Sequence, residues 1–119
     1  MELRELYENI GGDYDEVMMR FMKEERVNRF IPMFLKDGSF AELQKAVAEQ
    51  DWNTAFRAAH TLKGVAGNMS FERLRAVDSD LTEAIRGGVP LQDITLYEKV
   101  CAEYEAEVAL IQAYLAERA

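Results

Sequence analysis

The chain is short of the residues that small proteins use as cross-links and punctuation. Its 119 residues include one cysteine (Cys101), two prolines and one histidine (His60). A single cysteine excludes an internal disulfide and any cysteine-rich zinc site, and it suits a reducing compartment. Few prolines and a hydrophobic content of 49% argue against disorder. No apolar run approaches the ~20 residues a membrane span needs. The N-terminus, MELRELYENIGGDYDE, lacks the apolar centre of a signal peptide. Strand-like alternation, a glycine-rich phosphate loop and a GxSxG elbow are all missing. Cations are also in deficit, and the formal charge of −8 repels nucleic acid and anionic lipid. The expectation is a cytoplasmic protein with neither a nucleic-acid nor a membrane partner.

What is present is helical periodicity throughout. Glu2–Asn9 is amphipathic and ends at Gly11 and Gly12. Asp13 opens a second short helix towards Phe21 with capping-box spacing to Glu16. From Glu24, Val27, Phe30, Ile31 and Phe34 repeat at helical steps, and Pro32 is expected to kink or break that helix. Ser39 and Glu42 have capping-box spacing, Asp51 is placed to cap the next helix, and Ser70 the one after. That helix carries Leu74, Val77, Leu81 and Ile85 and stops at Gly87-Gly88-Val89-Pro90. The last begins near Asp93, with a seam of Tyr97, Val100, Tyr104, Val108, Ile111 and Leu115. Short loops between long helices predict an all-α, up-down-up-down four-helix bundle over about 39–117, with helices near 39–50, 52–69, 71–86 and 93–117. Short N-terminal accessory helices over about 1–36 complete one domain, 1–119, and can cover one end of the bundle.

The helix carrying His60 has two faces. At roughly 100° per residue, Phe56, Arg57, Lys63, Gly64 and Gly67 fall on the histidine side, and Ala55, Ala59, Leu62, Val65 and Ala66 on the opposite side. A lone helical histidine is usually an ordinary surface group. Two glycines beside it are less ordinary, because each costs roughly 1 kcal/mol relative to alanine in a helix. An absent side chain at i+4 exposes the imidazole edge to an approaching surface. Lys63, one turn on, can reach an anion held on the ring, or simply snorkel. Phe56 either packs on a neighbouring helix or offers a docking contact, and Arg57 has the same two readings as Lys63. With no second histidine or suitably spaced carboxylate, a metal site is a poor fit. A neutral imidazole can attack phosphorus, and its ordinary pKa of ~6.5 keeps much of it neutral at pH 7. Two rivals remain: a helical adaptor without chemistry, and a small enzyme with His60 as general base. The enzyme needs a polar pocket around His60, whereas a carrier needs the histidine exposed.

His60-Thr61-Leu62-Lys63-Gly64-Val65-Ala66-Gly67-Asn68-Met69 resembles the HTLKG-type signature of histidine-containing phosphotransfer domains. Asp51–Ala59 resembles the family's approach to that motif, and the N-terminal third resembles its small, free-standing bacterial members. The resemblance implies the same four-helix bundle. It also implies a phosphorelay carrier, monomeric and not itself an enzyme, with no ATP-dependent kinase activity. His60 would take a phosphoryl group from a receiver-domain aspartate and pass it to another receiver. Lys63 would assist the phosphoryl group, Gly64 would keep the histidine accessible, and Phe56, Arg57 and Gly67 would form the docking face. Thr82, on the next helix near the level of His60, is the candidate to hydrogen-bond and orient the imidazole. No cofactor is implied on this chain; magnesium belongs to the partner receiver. A hybrid sensor histidine kinase is a further implied partner. Two departures from the family pattern stand out: Met69 or Ser70 replaces the motif's last glycine, and Pro32 interrupts a helix beside the docking surface.

Overall fold

A computed structural model describes all residues from Met1 to Ala119. Seven α-helices follow one another: α1 (Leu3–Ile10), α2 (Tyr14–Phe21), α3 (Glu24–Lys36), α4 (Ser39–Ala48), α5 (Trp52–Asn68), α6 (Glu72–Ala84) and α7 (Ile94–Arg118), with a 3-10 turn at Arg86–Gly88 before α7. There are no strands, and no helix is long and apolar enough to cross a membrane. Helices α4 to α7 form the four-helix bundle. Consecutive members pack on each other, and Phe40 of α4 stacks on Tyr104 of α7 at 4.0 Å between ring centres. Asp51 and Asp93 cap α5 and α7 by accepting the N–H groups of Thr54 and Thr95 at 3.2 and 3.0 Å.

The 25 residues of α7 span roughly 37 Å at 1.5 Å per residue, far beyond α4. Helices α1 and α3 lie along the overhanging half. Leu3, Leu6, Tyr7 and Ile10 of α1 are buried, as are Val27, Ile31 and Phe34 of α3. Phe34 packs against Tyr104, and Tyr114 donates a hydrogen bond to Asn28.

The first two helices also seize the C-terminal end of α5. Tyr7 Oη donates to the Met69 carbonyl at 2.7 Å. Arg20 Nη1 donates to the carbonyls of Gly67 and Asn68 and to Ser70 Oγ at 2.7–3.1 Å. Ser70 Oγ donates to Glu16 at 2.7 Å, and the Asp13 N–H donates to the Ser70 carbonyl at 2.8 Å. A cation satisfying the last carbonyls of a helix also complements its dipole. The approach needs glycine: a Cβ on Gly12 would sit 2.7 Å from the Tyr7 ring and 2.9 Å from the Ser70 carbonyl oxygen.

Several local expectations are revised. Helix α3 runs unbroken through Pro32. The lost backbone hydrogen bond is offset by the burial of Val27, Ile31 and Phe34 on the α3 face that meets the body. Ser39 is the first residue of α4 rather than its cap, and Asp37 accepts its N–H at 2.9 Å. Ser70 does not cap α6. It adopts a left-handed conformation (φ 57°) in the turn that ends α5, where Phe71 N–H returns to the Ala66 carbonyl and Ser70 N–H to that of Gly67. A serine there costs about 1 kcal/mol more than glycine, and its hydroxyl gains Arg20 and Glu16 as partners. The α7 seam includes Glu107 and Tyr114, both fully buried, while Tyr97, Tyr104, Val108 and Leu115 are only half-buried.

Candidate functional site

Small residues decide where α5 sits. Ala55, Ala58, Ala59 and Ala66 are buried with Leu62, which lets the neighbouring helices come close and turns the opposite face outward. His60 is exposed on that face and makes no hydrogen bond within the chain. Its ring is instead stacked against Phe56, with centres 6.0 Å apart and planes 21° from parallel. Phe56 is half-buried, and the Arg86 guanidinium covers it at 5.3 Å.

Gly64 is exposed, and a Cβ placed on it would meet nothing within 4 Å. The surface one turn beyond the imidazole is therefore open. Gly67 is half-buried: a Cβ there would touch Arg75 of α6 at 3.4 Å, and its carbonyl is held by Arg20. Arg57 is exposed but donates to Thr54 within its own helix at 3.2 Å.

Two contacts set the register of α5 against α6: Gly67 lies at Arg75 and Phe56 at Arg86. Between them the antiparallel pair brings Lys63 level with Asp78 and His60 level with Thr82. Thr82 nonetheless does not orient the imidazole. It is fully buried, and its hydroxyl donates to the Asp78 carbonyl oxygen at 2.8 Å, one turn back in its own helix. The sharing of level is right, but the helix is rotated so that Thr82 points into the core.

Lys63 is half-buried on the α6 side. Its charge bears on two α6 carboxyls. Glu83 is held below the usual range, chiefly by its hydrogen bond to Arg86, with Lys63 assisting. Asp78 is pushed up to about 8 by burial, against the pull of Lys63. The sequence reading missed Asp78. Its signal was an acid set into the apolar stripe of α6, three residues before Leu81 and four after Leu74.

On the other flank of α5, a shallow apolar groove runs between α3 and the C-terminal half of α5. Phe30, Met33, Phe34, Val65 and Met69 line most of it. Phe30, which shares the helical spacing of Val27 and Ile31, is exposed, as is Met33. A second concavity gathers Asp13, Asp15, Glu16, Met19 and Arg20. His60 lines neither, so no pocket converges on it.

Compared with known proteins, residues 37–116 match the sequence model of the Hpt domain. The match takes in α4 to α7, with the histidine helix and its neighbours. No curated protein and no solved structure matches the chain.

Proposed function

Because the chain belongs to the Hpt domain family, whose members are phosphotransfer modules of two-component phosphorelays, we propose that His60 accepts a phosphoryl group from a receiver-domain aspartate and passes it to a second receiver. The observation that carries this reading is the state of the only histidine: exposed, free of hydrogen bonds and one turn from an open glycine. A ring nitrogen with a free lone pair attacks phosphorus. The N–P bond forms as the bond from phosphorus to the aspartyl oxygen breaks, and the aspartate leaves as a carboxylate. In-line approach needs room at the imidazole edge, and Gly64 leaves that room. Stacking on Phe56 limits the ring's rotation in place of a hydrogen bond. Lys63 supplies positive charge one helical turn away, where the transferred group arrives.

The receiver docks around His60, over Phe56, Arg57 and Gly67 on α5, with the apolar groove of Phe30, Met33 and Val65 continuing that surface. Magnesium sits on the receiver, and this chain acts as a cytoplasmic monomeric carrier with no cofactor and no ATP-dependent activity of its own. An enzyme using His60 as general base would need a polar pocket at the imidazole, and His60 lines no concavity.

Incubation with a phosphorylated receiver should load the wild type with an acid-labile, base-stable phosphate and leave His60→Gln unlabelled. Equal labelling of the two would remove His60 from the reaction.

A further inference from the structure

Asp78 is the side chain near the site that the carrier chemistry does not use. It is fully buried, and neither carboxyl oxygen has a hydrogen-bond partner. The one nearby hydroxyl, that of Thr82, donates to the Asp78 backbone rather than to its carboxyl. A carboxylate buried without donors is costly, so this group must either stay a neutral acid or draw a cation to itself.

Lys63 is the cation whose charge bears on it. The α5–α6 register puts it level with Asp78, half-buried on the same seam. On α5 the other ionisable groups of that stretch are Arg57 and His60. On α7 the Arg73–Glu103 pair sets a register that brings Tyr97 and Cys101 to this level. On α6 itself Arg75 and Glu83 flank the position. Of all these groups, only Lys63 exerts a charge effect on Asp78. Lys63 also stands one turn from His60 on the opposite, exposed side. A single ammonium thus has two anions to serve: the buried carboxyl beneath it and the phosphoryl group above it.

We propose that Asp78 is a positioning residue for Lys63: as a neutral acid it leaves the ammonium to the phosphohistidine, and as a carboxylate it draws the ammonium inward. This rests on the carrier reading of His60. The linkage is reciprocal. Loading His60 with a dianion pulls Lys63 outward, deprives Asp78 of its cation and raises its affinity for a proton. An ionised Asp78 then takes up one proton from water as the phosphoryl group arrives, and no other bond changes. The acid form predominates below pH 8, so the carrier is competent at neutral pH and weakens in alkali. At neutral pH the phosphoryl group therefore has Lys63 largely to itself.

The test compares phosphoryl exchange with one receiver in wild type and in Asp78→Asn, which keeps the shape of the acid form and cannot ionise. Using the same receiver for both removes the receiver's own pH dependence. At pH 6.5 the two should load to within twofold. At pH 9 the wild type should load at least fivefold less than Asp78→Asn, and adding Lys63→Met to each should erase the difference between them. Parallel profiles from pH 6.5 to 9 would overturn the proposal while leaving His60 as carrier. A second measurement needs no phosphate. The Asp78 carboxyl carbon, followed by NMR, should titrate at higher pH in Lys63→Met than in wild type. An unchanged midpoint contradicts the pairing even if the protein carries no phosphoryl group, and failure of wild type to load at all, with this shift present, counts against the carrier reading alone.

Discussion

The C-terminal end of α5 and its exposed middle are built in opposite ways. Where α1 and α2 meet the turn after α5, nearly every polar group is engaged. Tyr7 and Arg20 take the last α5 carbonyls, Ser70 joins Glu16 to Arg20, and Arg73 reaches the Asn9 carbonyl and Glu103. Around His60 almost nothing is engaged: the imidazole has no hydrogen bond, Gly64 faces open space, and Lys63 has no ion pair. The difference shows how a helix is held still without its middle being covered. Rigidity comes from one end and from the alanine face, which leaves the reactive face free for a partner. Changes at the joint should therefore alter stability with little effect on chemistry, and changes at the open face the reverse.

The largest effect is expected from Tyr7→Ala. Removing a fully buried aromatic side chain and the donor to Met69 should lower unfolding free energy by about 3–5 kcal/mol. Urea denaturation measures this, and transfer per folded molecule should stay near wild type. A loss of transfer equal to that of His60→Gln in folded protein would break the comparison, because the joint would then share in the chemistry.

The joint also carries a pH dependence. Glu107 of α7 is fully buried, with the Glu103 carboxyl and the Leu74 backbone beside it. Burial, with the neighbouring Glu103 acting the same way, pushes it up to about 10. The folded chain therefore holds this proton more tightly than the unfolded chain. The stabilisation is fully present below the ordinary carboxyl range and is lost as pH rises through about 10. While only the unfolded chain is ionised, the loss is about 1.4 kcal/mol per pH unit. Asp78 adds a loss of the same sign up to about 8. Between pH 6 and pH 9, Glu107→Gln should lose about 4 kcal/mol less than wild type. Denaturation midpoints at the two pH values check this, and an identical slope would show that Glu107 ionises freely when folded.

Gly64→Leu is expected to have the smallest effect on stability and an opposite sign. Leucine is the better helix former by roughly 0.8 kcal/mol, and the space beyond Gly64 is empty. The variant should melt slightly higher and yet transfer at least tenfold more slowly. A stable variant with an unchanged transfer rate would mean that no partner surface approaches at this position.

Much of this division was legible in the chain itself. Helix periodicity located α4 to α7 within two residues, because each carries an apolar stripe at three- and four-residue steps. The wheel around His60 separated the alanine face from the glycine face for the same reason. The joint was not legible. Its bonds link residues about fifty to sixty positions apart, and local pattern carries no record of which carbonyl a distant arginine reaches. The stripes of α6 and α7 were traced through their apolar members alone, so Asp78 and Glu107, which lie within them, were not singled out. The spacing of Phe30 matched that of Val27 and Ile31, and only the structure shows that α3 turns it towards the groove beside α5. Pro32 was weighed by its local penalty, which tertiary burial on the same helix outweighs. Thr82 was placed at the correct level of α6 but on the wrong side, because antiparallel register gives height along a helix and not its rotation.

Everything about the carrier chemistry turns on where the phosphoryl group is held. Tandem mass spectrometry of the chain after exchange with a phosphorylated receiver, kept alkaline throughout, measures this directly. One phosphate is expected, on the peptide containing His60 and on its imidazole. Phosphate on any other residue, or none while the receiver loads a known carrier in the same tube, would contradict it.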